Sequence, residues 1–587
     1  MSNMFSFFNL EDSGKTLSKL FIDKRVVIFT GAGTSFPQPS GIPTADQLKN
    51  MLLNLIMIKA GLTDEKLRKI VDTHFRLENF IQALTLRLGD AALEPFNEFE
   101  SAKPNLIHHF IAGLAKRQLI DTVLTTNFDC LIEKAFSQNE VDFHVYCYPN
   151  NLNILPKNKI RLLKLHGSIV YPSNGTERTT LVATINRASM PIIPKIRDHL
   201  HGLLHDKIIL YLGYSGRDYY DIYPLLFSLK HEYAIWIDHT DHEQFEALAK
   251  EDVWQRMKTR DYRERILFSN GDGIILKCKT EQIVRKTAEY MDINISLCKI
   301  QDKSFFNLHN WTNNFENCSF ALLGDLYIFF DSHSEAIPYF KKYFKNCLAE
   351  RNELDIAYAS RKLGMCYEGI KNYDNAEKYY FQALELYTKN EIVEDELTVL
   401  SDIALLYDIK GNPQSLDICK KILLRMKQEK IEHPSCSATF NLVLGNFKLK
   451  EKEFVAAIQY YESAKLYYER SNNPPGIAMI NKNIAYTYMH TGQNNKAVGF
   501  AEDALFFYGT PLNPRHGNHQ TSDLANFYAI NLLSCKGYAG AINYVLSNSL
   551  MKEMGIVREM IDVINFCNRI CDSVLNTTFN YSLENIT

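Results

Sequence analysis

The sequence predicts two structural classes in series: an α/β parallel sheet with a helical module in the N-terminal half, then an all-α superhelix of repeats. Three observations predict this. Short apolar runs alternate with helical stretches up to about residue 290, the pattern of parallel strands joined by crossover helices. From about residue 317 a marker of paired residues recurs at steps of 40 or 41. Five of the apolar runs end in glycine, hydroxyl or titratable residues, which is where an open parallel sheet gathers its ligands.

A chain of 587 residues exceeds one domain, and 46% hydrophobic with 23% charged residues is a globular composition. A net charge of −3 gives no general pull toward nucleic acid, so no direct nucleic-acid partner is expected. No apolar run approaches bilayer-spanning length, and the opening MSNMFSFFNLEDSGKTLSKL carries acids inside its apolar stretch, unlike a secretory signal. Twelve cysteines are scattered without disulfide-framework or zinc-like pairing, the closest pair being Cys567 and Cys571. That usage fits reduced thiols and a cytoplasmic protein with no membrane association.

The first apolar run, Val26–Phe29, is rich in β-branched residues and is stopped by Gly31-Ala32-Gly33-Thr34-Ser35. It reads as a strand buried on both faces. The glycines permit a sharp turn and close backbone approach to a ligand, and a helix starting there would aim free N–H groups at a phosphate. It is not a P-loop, because the lysine expected after the second glycine is absent. Residues of about 45 to 118, with LKNMLLNLIMIKAGL and LENFIQALTLRL, read as a helical module beside the sheet. Further strands are expected at Asp121–Thr125, Arg161–Leu165, Ile208–Leu212, Ala234–Ile237 and Arg265–Phe268. The tips of these runs carry Thr126-Asn127-Phe128-Asp129, His166-Gly167-Ser168, Gly213-Tyr214-Ser215-Gly216-Arg217-Asp218 and Asp238. Singly, His166 reads as a satisfied structural histidine and Asp129 as a helix cap. Their convergence at successive strand ends is what favours a site.

The segment 291–316 fits neither half and reads as a linker. Beyond it, Leu323-Gly324 with Tyr327 recurs as Leu363-Gly364 with Tyr367, Ile403-Ala404 with Tyr407, Leu444-Gly445 with Phe447, Ile484-Ala485 with Tyr488 and Leu524-Ala525 with Tyr528. A second marker, Ala336, Ala376, Leu416, Ala457 and Ala497, runs in phase. Small residues let two helices cross closely, and aromatics fill the space beside them. The array over 317–587 resembles the tetratricopeptide helix-turn-helix pattern in a longer-loop form, with a period near 40. Such arrays present a concave surface for a protein or peptide partner.

The ordered set Gly31-Ala32-Gly33-Thr34-Ser35 with Gly41-Ile42-Pro43, then Thr126-Asn127-Phe128-Asp129, His166-Gly167 and Gly213-Tyr214-Ser215 resembles the sirtuin family over about residues 20 to 290. The resemblance implies a Rossmann-like, NAD-binding sheet over 1–290. It assigns Ala32, Gly33, Thr34 and Ser35 to the dinucleotide phosphates and neighbouring ribose. It assigns Asn127 to the nicotinamide ribose and attacking water, Asp129 to support of the nicotinamide pocket, and His166 to the catalytic base. Gly31, Ile42, Pro43 and Thr126 complete the loops around it; Gly213 and Ser215, with Asp218 nearby, would hold the adenosine side. Asp238 would take a ribose hydroxyl.

Sirtuin deacetylases carry two cysteine pairs as a zinc site after His-Gly, whereas no cysteine lies between His166 and Gly213, so no metal is expected. The sequence also carries Thr44-Ala45-Asp46 where deacetylases have Asp-Phe-Arg, and Thr126 in place of a glutamine. These departures look like the sirtuin-like domains of bacterial anti-phage defence proteins, which cleave NAD to nicotinamide and ADP-ribose. The implied function is an NAD hydrolase acting in abortive infection, held off by a repeat array that senses a trigger or regulatory protein of phage origin. A homo-oligomer is implied by the same resemblance. An NAD-dependent deacylase, an ADP-ribosyltransferase and a non-catalytic NAD- or ADP-ribose-binding scaffold remain open alternatives.

Overall fold

A computed structural model of the chain describes residues 7–22, 26–147, 159–169, 194–216, 230–240, 245–249, 272–295, 311–315, 318–471 and 473–509, with scattered positions at 222–226, 267, 308 and 525–565. The chain divides into two compact units, Met1–Thr63 with Phe75–Glu316, and Asp64–His74 with Asn317–Thr587.

Among the described residues the first unit is built on an eight-stranded sheet. In chain order its strands are β1 (Val26–Thr30), β2 (Thr122–Thr125), β3 (Phe143–Cys147), β4 (Ile160–Lys164), β5 (Ile208–Leu212), β6 (Tyr233–His239), β7 (Glu246–Ala249) and β8 (Asp272–Cys278). Their spatial order is β3-β4-β2-β1-β5-β6-β8-β7. All described pairings are parallel except β7 with β8. Side chains alternate across a strand, so Val26 and Ile28 enter one core and Val27 and Phe29 the other. The first core is closed by α1 (Leu10–Ile22), α5 (Leu106–Lys116), α6 (Leu131–Gln138) and α8 (Thr280–Tyr290), through residues such as Phe21, Phe110, Phe136 and Ile283. The second receives Leu200 and Leu204 of α7 (Pro194–Leu204) and a stack of Tyr211 on Trp236, ring centroids 4.3 Å apart. A strand buried on both faces must be apolar throughout, which is why β1 and β5 stand out in the sequence.

Three local expectations are corrected. No α-helix starts at Gly31: Ala32–Thr34 form one 3₁₀ turn, and the next helix, α2 (Ala45–Ala60), begins only after Pro37, Pro39, Gly41 and Pro43 have kept the chain irregular. Thr44 caps α2 in a reciprocal box with Gln47. The strand expected at 265–268 lies outside the described residues except for Leu267, which is helical, and the last parallel strand among the described residues is Asp272–Cys278. Strands β3 and β7 are additional. β7 reads Glu-Ala-Leu-Ala, a helix-forming sequence, and is a strand because β8 offers it an open edge.

Between α2 and α4 (Leu77–Leu88) lies α3 (Glu65–His74), which belongs to the second unit. Among the described residues the array then continues through the helix pairs α9 (Ser319–Phe329) with α10 (His333–Glu350), α11 (Glu353–Gly369) with α12 (Tyr373–Lys389), α13 (Val393–Ile409) with α14 (Gln414–Glu429), α15 (Pro434–Lys450) with α16 (Phe454–Arg470), and α17 (Pro474–His490) with α18 (Asn494–Gly509). The expected longer loops are not what lengthens the repeat. Helices such as α11, α12 and α13 each run 17 residues, about 25 Å, and only three residues join α11 to α12, so the extra length lies in the helices. The glycine markers sit at the crossings of the first, second and fourth pairs. A Cβ on Gly324 would lie 2.6 Å from the Phe340 ring, and on Gly364 or Gly445 2.5 Å from Tyr380 or Tyr461.

The same chemistry closes the array's first end. Tyr407 of α13 donates its hydroxyl to Glu377 of the preceding helix α12 at 2.7 Å. Tyr327, the equivalent marker in α9, donates to Asp64 at the start of α3, also at 2.7 Å. Tyr339 donates to the same carboxylate, Asp64 accepts from Leu67 N within its own helix, and Lys66 pairs with Glu335. α3 therefore fills the place of a preceding repeat's second helix, the kind of terminal cap a solenoid needs.

Candidate functional site

β1 pairs with β2 on one side and β5 on the other, and the chain visits the β2 side first and the β5 side later. The strand order reverses here, so the loops after β1, β2 and β5 diverge around a crevice at their carboxyl ends. Gly31–Ser35, Thr126–Asp129 and Gly213–Ser215 are those three loops.

The loops after β1 and β5 interlock through backbone. Gly31 N donates to Leu212 O at 3.1 Å, and Gly33 N donates to Gly213 O at 2.9 Å. A Cβ on Gly213 would meet Thr34 N at 2.3 Å, and its φ of +59° is itself a glycine conformation. The glycines of the motif are thus required by loop-on-loop packing. Ile42 N donates to Ser35 O at 3.0 Å, which folds the buried Ile42 and Pro43 back under the turn, and Thr126 N donates to Thr30 O at 3.2 Å.

Side chains then join the loops after β1 and β2. Asn127 Nδ2 donates to Thr34 Oγ1 at 3.2 Å and to Ser35 Oγ at 3.1 Å. Ser35 Oγ donates onward to Asp129 Oδ2 at 2.8 Å, while Asp129 Oδ1 accepts from Leu131 N at 3.0 Å. Asp129, one residue before the Cys130 cap position, therefore holds the first N–H of α6 and also orients Ser35. With both amide hydrogens of Asn127 committed, its carboxamide oxygen is fixed in direction, and that oxygen is buried with no hydrogen-bond partner. Leaving such an acceptor unmatched costs about 1–3 kcal/mol, which a hydroxyl or water donor bound there would recover.

His166 is buried on the loop after β4, the neighbour of β2, and its ring lies 6.2 Å from that of Phe128, the residue between Asn127 and Asp129. Ile169 N donates to Phe128 O at 3.0 Å, so the two loops share this phenylalanine. Ala32 and Ser215 are exposed at the rim. Asp238 is half-buried near the end of β6, in register with Lys277 of β8 and two strands from β1. Asp218 lies outside the described residues.

Two site residues went unread in the sequence, inside the stretch taken only as helical. Asn105 caps α5 and donates its amide to Thr34 O at 2.8 Å and Pro37 O at 3.1 Å, pinning the loop after β1. His108 Nδ1 accepts from Asn105 N at 3.1 Å, which leaves the proton on Nε2, 3.4 Å from Ser35 Oγ. Burial pushes its pKa down to about 4, partly opposed by the Asp129 carboxylate, so the ring is neutral near pH 7. The available signal was Asn-x-x-His opening an apolar helix, a capping pattern with an imidazole in the acceptor place.

The sheet order and loop geometry define a Rossmann-like α/β unit followed by a tetratricopeptide-like array. Family comparison agrees: residues 121–265 match the SIR2-like domain, and residues 362–390 match the tetratricopeptide repeat. The chain carries a SIR2-like domain and, C-terminal to it, tetratricopeptide repeat sequence. Two curated relatives, both named NAD-dependent protein deacetylase and from two strains of Staphylococcus epidermidis, are 34% identical over 120 residues, 20% of this chain and 44% of theirs. The chain thus spans less than half the length of these relatives. Among solved structures, BtubC (BKLC) from P. vanneervenii aligns with TM-score 0.27 at 17% identity, over 43% of this chain and 93% of that one. A Rap protein complexed with competence and sporulation factor aligns with TM-score 0.30 at 17% identity, over 44% and 74%. Likenesses at this level carry no argument.

Among the described residues no helix is long and apolar enough to cross a membrane.

Proposed function

We propose that the protein is an NAD⁺ glycohydrolase that releases nicotinamide and ADP-ribose, and that the repeat array restrains it until a trigger protein binds. The observation that carries the reading is the orphaned Asn127 oxygen at the strand-order reversal, its direction set by Thr34 and Ser35. An acceptor so placed suits a ribose hydroxyl or an attacking water. SIR2-like domains use NAD as substrate, and the curated relatives are named NAD-dependent.

Cleavage of the nicotinamide–ribose bond builds positive charge on the ribose, in an oxocarbenium-like transition state like that of other glycoside cleavages. Asn127 would hold the water, or a ribose hydroxyl, against the anomeric carbon. His166 would accept a proton from a ribose hydroxyl, lending electron density to the cation; an imidazole suits the task because its ordinary pKa lies near neutrality. Gly31–Ser35 with Gly213 and Ser215 would take the phosphates and adenosine side. A hydrolase of this kind drains its own cell, which is why we place it in abortive infection with the array as its sensor, and with self-assembly as its organising step.

A second reading, NAD-dependent deacylation of a protein substrate held by the array, is favoured by the name of the curated relatives. Product chromatography separates the two. Free ADP-ribose from NAD alone supports the hydrolase; O-acyl-ADP-ribose formed only with an acyl-lysine peptide supports the deacylase. Asn127→Ala and His166→Ala should each lower nicotinamide release by about 10² to 10⁴. Undiminished release in either variant removes that residue from the reaction.

A further inference from the structure

Lys164 is the last residue of β4, in register with Thr125 of β2 and Cys147 of β3. Its side chain is 0% exposed. An ammonium ion there costs several kcal/mol in desolvation unless every proton is matched. It is matched, by groups from three different segments. Nζ donates to Asp129 O at 2.5 Å, to Ser168 Oγ at 2.8 Å and to Glu133 Oε1 of α6 at 2.8 Å, with Phe128 O at 3.5 Å and Cys130 Sγ at 3.8 Å beyond them. Burial, the largest single effect, lowers the lysine's pKa, but the Glu133 carboxylate together with the neighbouring Cys130 and Asp129 outweighs it and the net shift is upward, so the charge persists.

The structure assigns to Lys164 the alignment of the Asn127 loop with the His166 loop, on the reading of those two residues as the reacting pair. Three protons leave one nitrogen in fixed tetrahedral directions. One holds the backbone two residues after Asn127, one holds the side chain two residues after His166, and one holds α6. The spacing between the two loops is therefore set from one buried point. An apolar residue of equal length would fill the volume but take the lysine donor from the carbonyl of Asp129 and leave Ser168 Oγ with only the weak Cys130 Sγ contact at 3.5 Å, and the loops free to separate. Lys164 is a positioning residue, hydrogen-bonded to the loops and not to substrate in this reading. A displacement of about 1 Å between reacting groups costs on the order of 10²-fold in rate.

The test uses the full chain with Glu133→Gln/Lys164→Met, which removes the buried pair together and orphans no charge, and with Ser168→Ala, which removes a single arm. Unfolding midpoint, NAD affinity by calorimetry and nicotinamide release are measured on each. Alignment predicts that the double variant loses roughly 30- to 100-fold in kcat and Ser168→Ala roughly 3- to 10-fold, with NAD affinity within about threefold of wild type in both. A structural role alone would lower the midpoint and affinity together and leave kcat per folded molecule intact, which overturns the assignment. If the double variant does not fold, Ser168→Ala decides: a kcat within experimental error of wild type overturns it. A wild-type chain that binds but does not cleave NAD overturns the reaction reading and the assignment with it, whereas an active wild type with an equally active double variant overturns the assignment alone.

Discussion

Gly33 and Gly213 meet backbone to backbone across the junction of β1 and β5, Gly33 N donating to Gly213 O at 2.9 Å. Neither position has room for a side chain: a Cβ on Gly33 would lie 2.8 Å from Gly213 Cα. This contact is the floor on which Thr34 and Ser35 stand, and through them Asn127 is aimed. Gly213→Ala adds a methyl 2.3 Å from Thr34 N at a φ of +59°, so Thr34 must move. The left-handed conformation costs about 1–2 kcal/mol for alanine, before any clash is counted. The variant is expected to unfold earlier in a thermal scan and to lose NAD binding by calorimetry, even where it remains folded at 25 °C.

His108 makes the site region sensitive to acid. Its folded pKa, about 4, lies below the ordinary histidine value, so between pH 6.5 and 4 the unfolded chain binds a proton that the folded chain does not. Stability contributed by the neutral ring is therefore complete above pH 6.5 and is lost as pH falls toward 4. From pH 7 to pH 5 the loss amounts to about 2 kcal/mol from this residue. Denaturant midpoints of wild type and His108→Gln across that range should converge as pH falls, with the variant showing the flatter profile. Parallel profiles would mean the imidazole is protonated in the folded state.

Strands such as β1 and β5 were legible because burial on both faces leaves a continuous apolar run, and the strand tips stood out because their small and polar residues pack loop against loop. The array was legible because helix crossings that need close approach keep small residues at a fixed step, three of them a glycine against an aromatic ring. What escaped was fixed by distant partners. β7 is a strand only because β8 needs an edge. Lys164 sits in an apolar run as though it were an outward-facing charge, and only the fold brings Ser168, Glu133 and the Asp129 carbonyl around it. The helix at Glu65–His74 reads like its neighbours α2 and α4, yet its acceptor Asp64 meets Tyr327, 263 residues away.

The helix crossings of the array predict a coupled pair. Gly364 sits under Tyr380, whose ring would be 2.5 Å from an added methyl. In the fifth helix pair the corresponding residues are Ala485 and Ala501, both fully buried, so the array tolerates a larger residue on one side when the other is small. Gly364→Ala alone should cost about 1–3 kcal/mol through overpacking. Tyr380→Ala alone should cost about 3–5 kcal/mol, by analogy with other large aromatic truncations. The double variant should be more stable than the sum of the two by about 1–2 kcal/mol, within the range found for side chains in contact. A double-mutant cycle on urea unfolding of the array transition measures this, and strict additivity would show that the two side chains do not compete for the same space.

Asp64 is the last case, because one carboxylate serves three donors: Leu67 N at 2.9 Å, Tyr327 Oη at 2.7 Å and Tyr339 Oη. Its pKa is lowered from the ordinary aspartate value: partial burial opposes the shift, and the tyrosine and backbone donors outweigh it. A group shifted this way stabilises the folded state above the unfolded carboxylate pKa and loses that contribution as pH falls through the lower folded value. Asp64→Ala removes the helix cap, worth about 1 kcal/mol, and strands two phenols, that of the buried Tyr327 and that of the half-buried Tyr339. Asp64→Asn keeps an acceptor oxygen without the charge and should recover part of the loss. If α3 caps the solenoid, amide exchange should quicken in α9 and α10 of Asp64→Ala while α15 to α18 keep wild-type protection, because stability in such arrays passes from neighbour to neighbour. Uniform acceleration along the array, or none in α9, would show that α3 closes nothing.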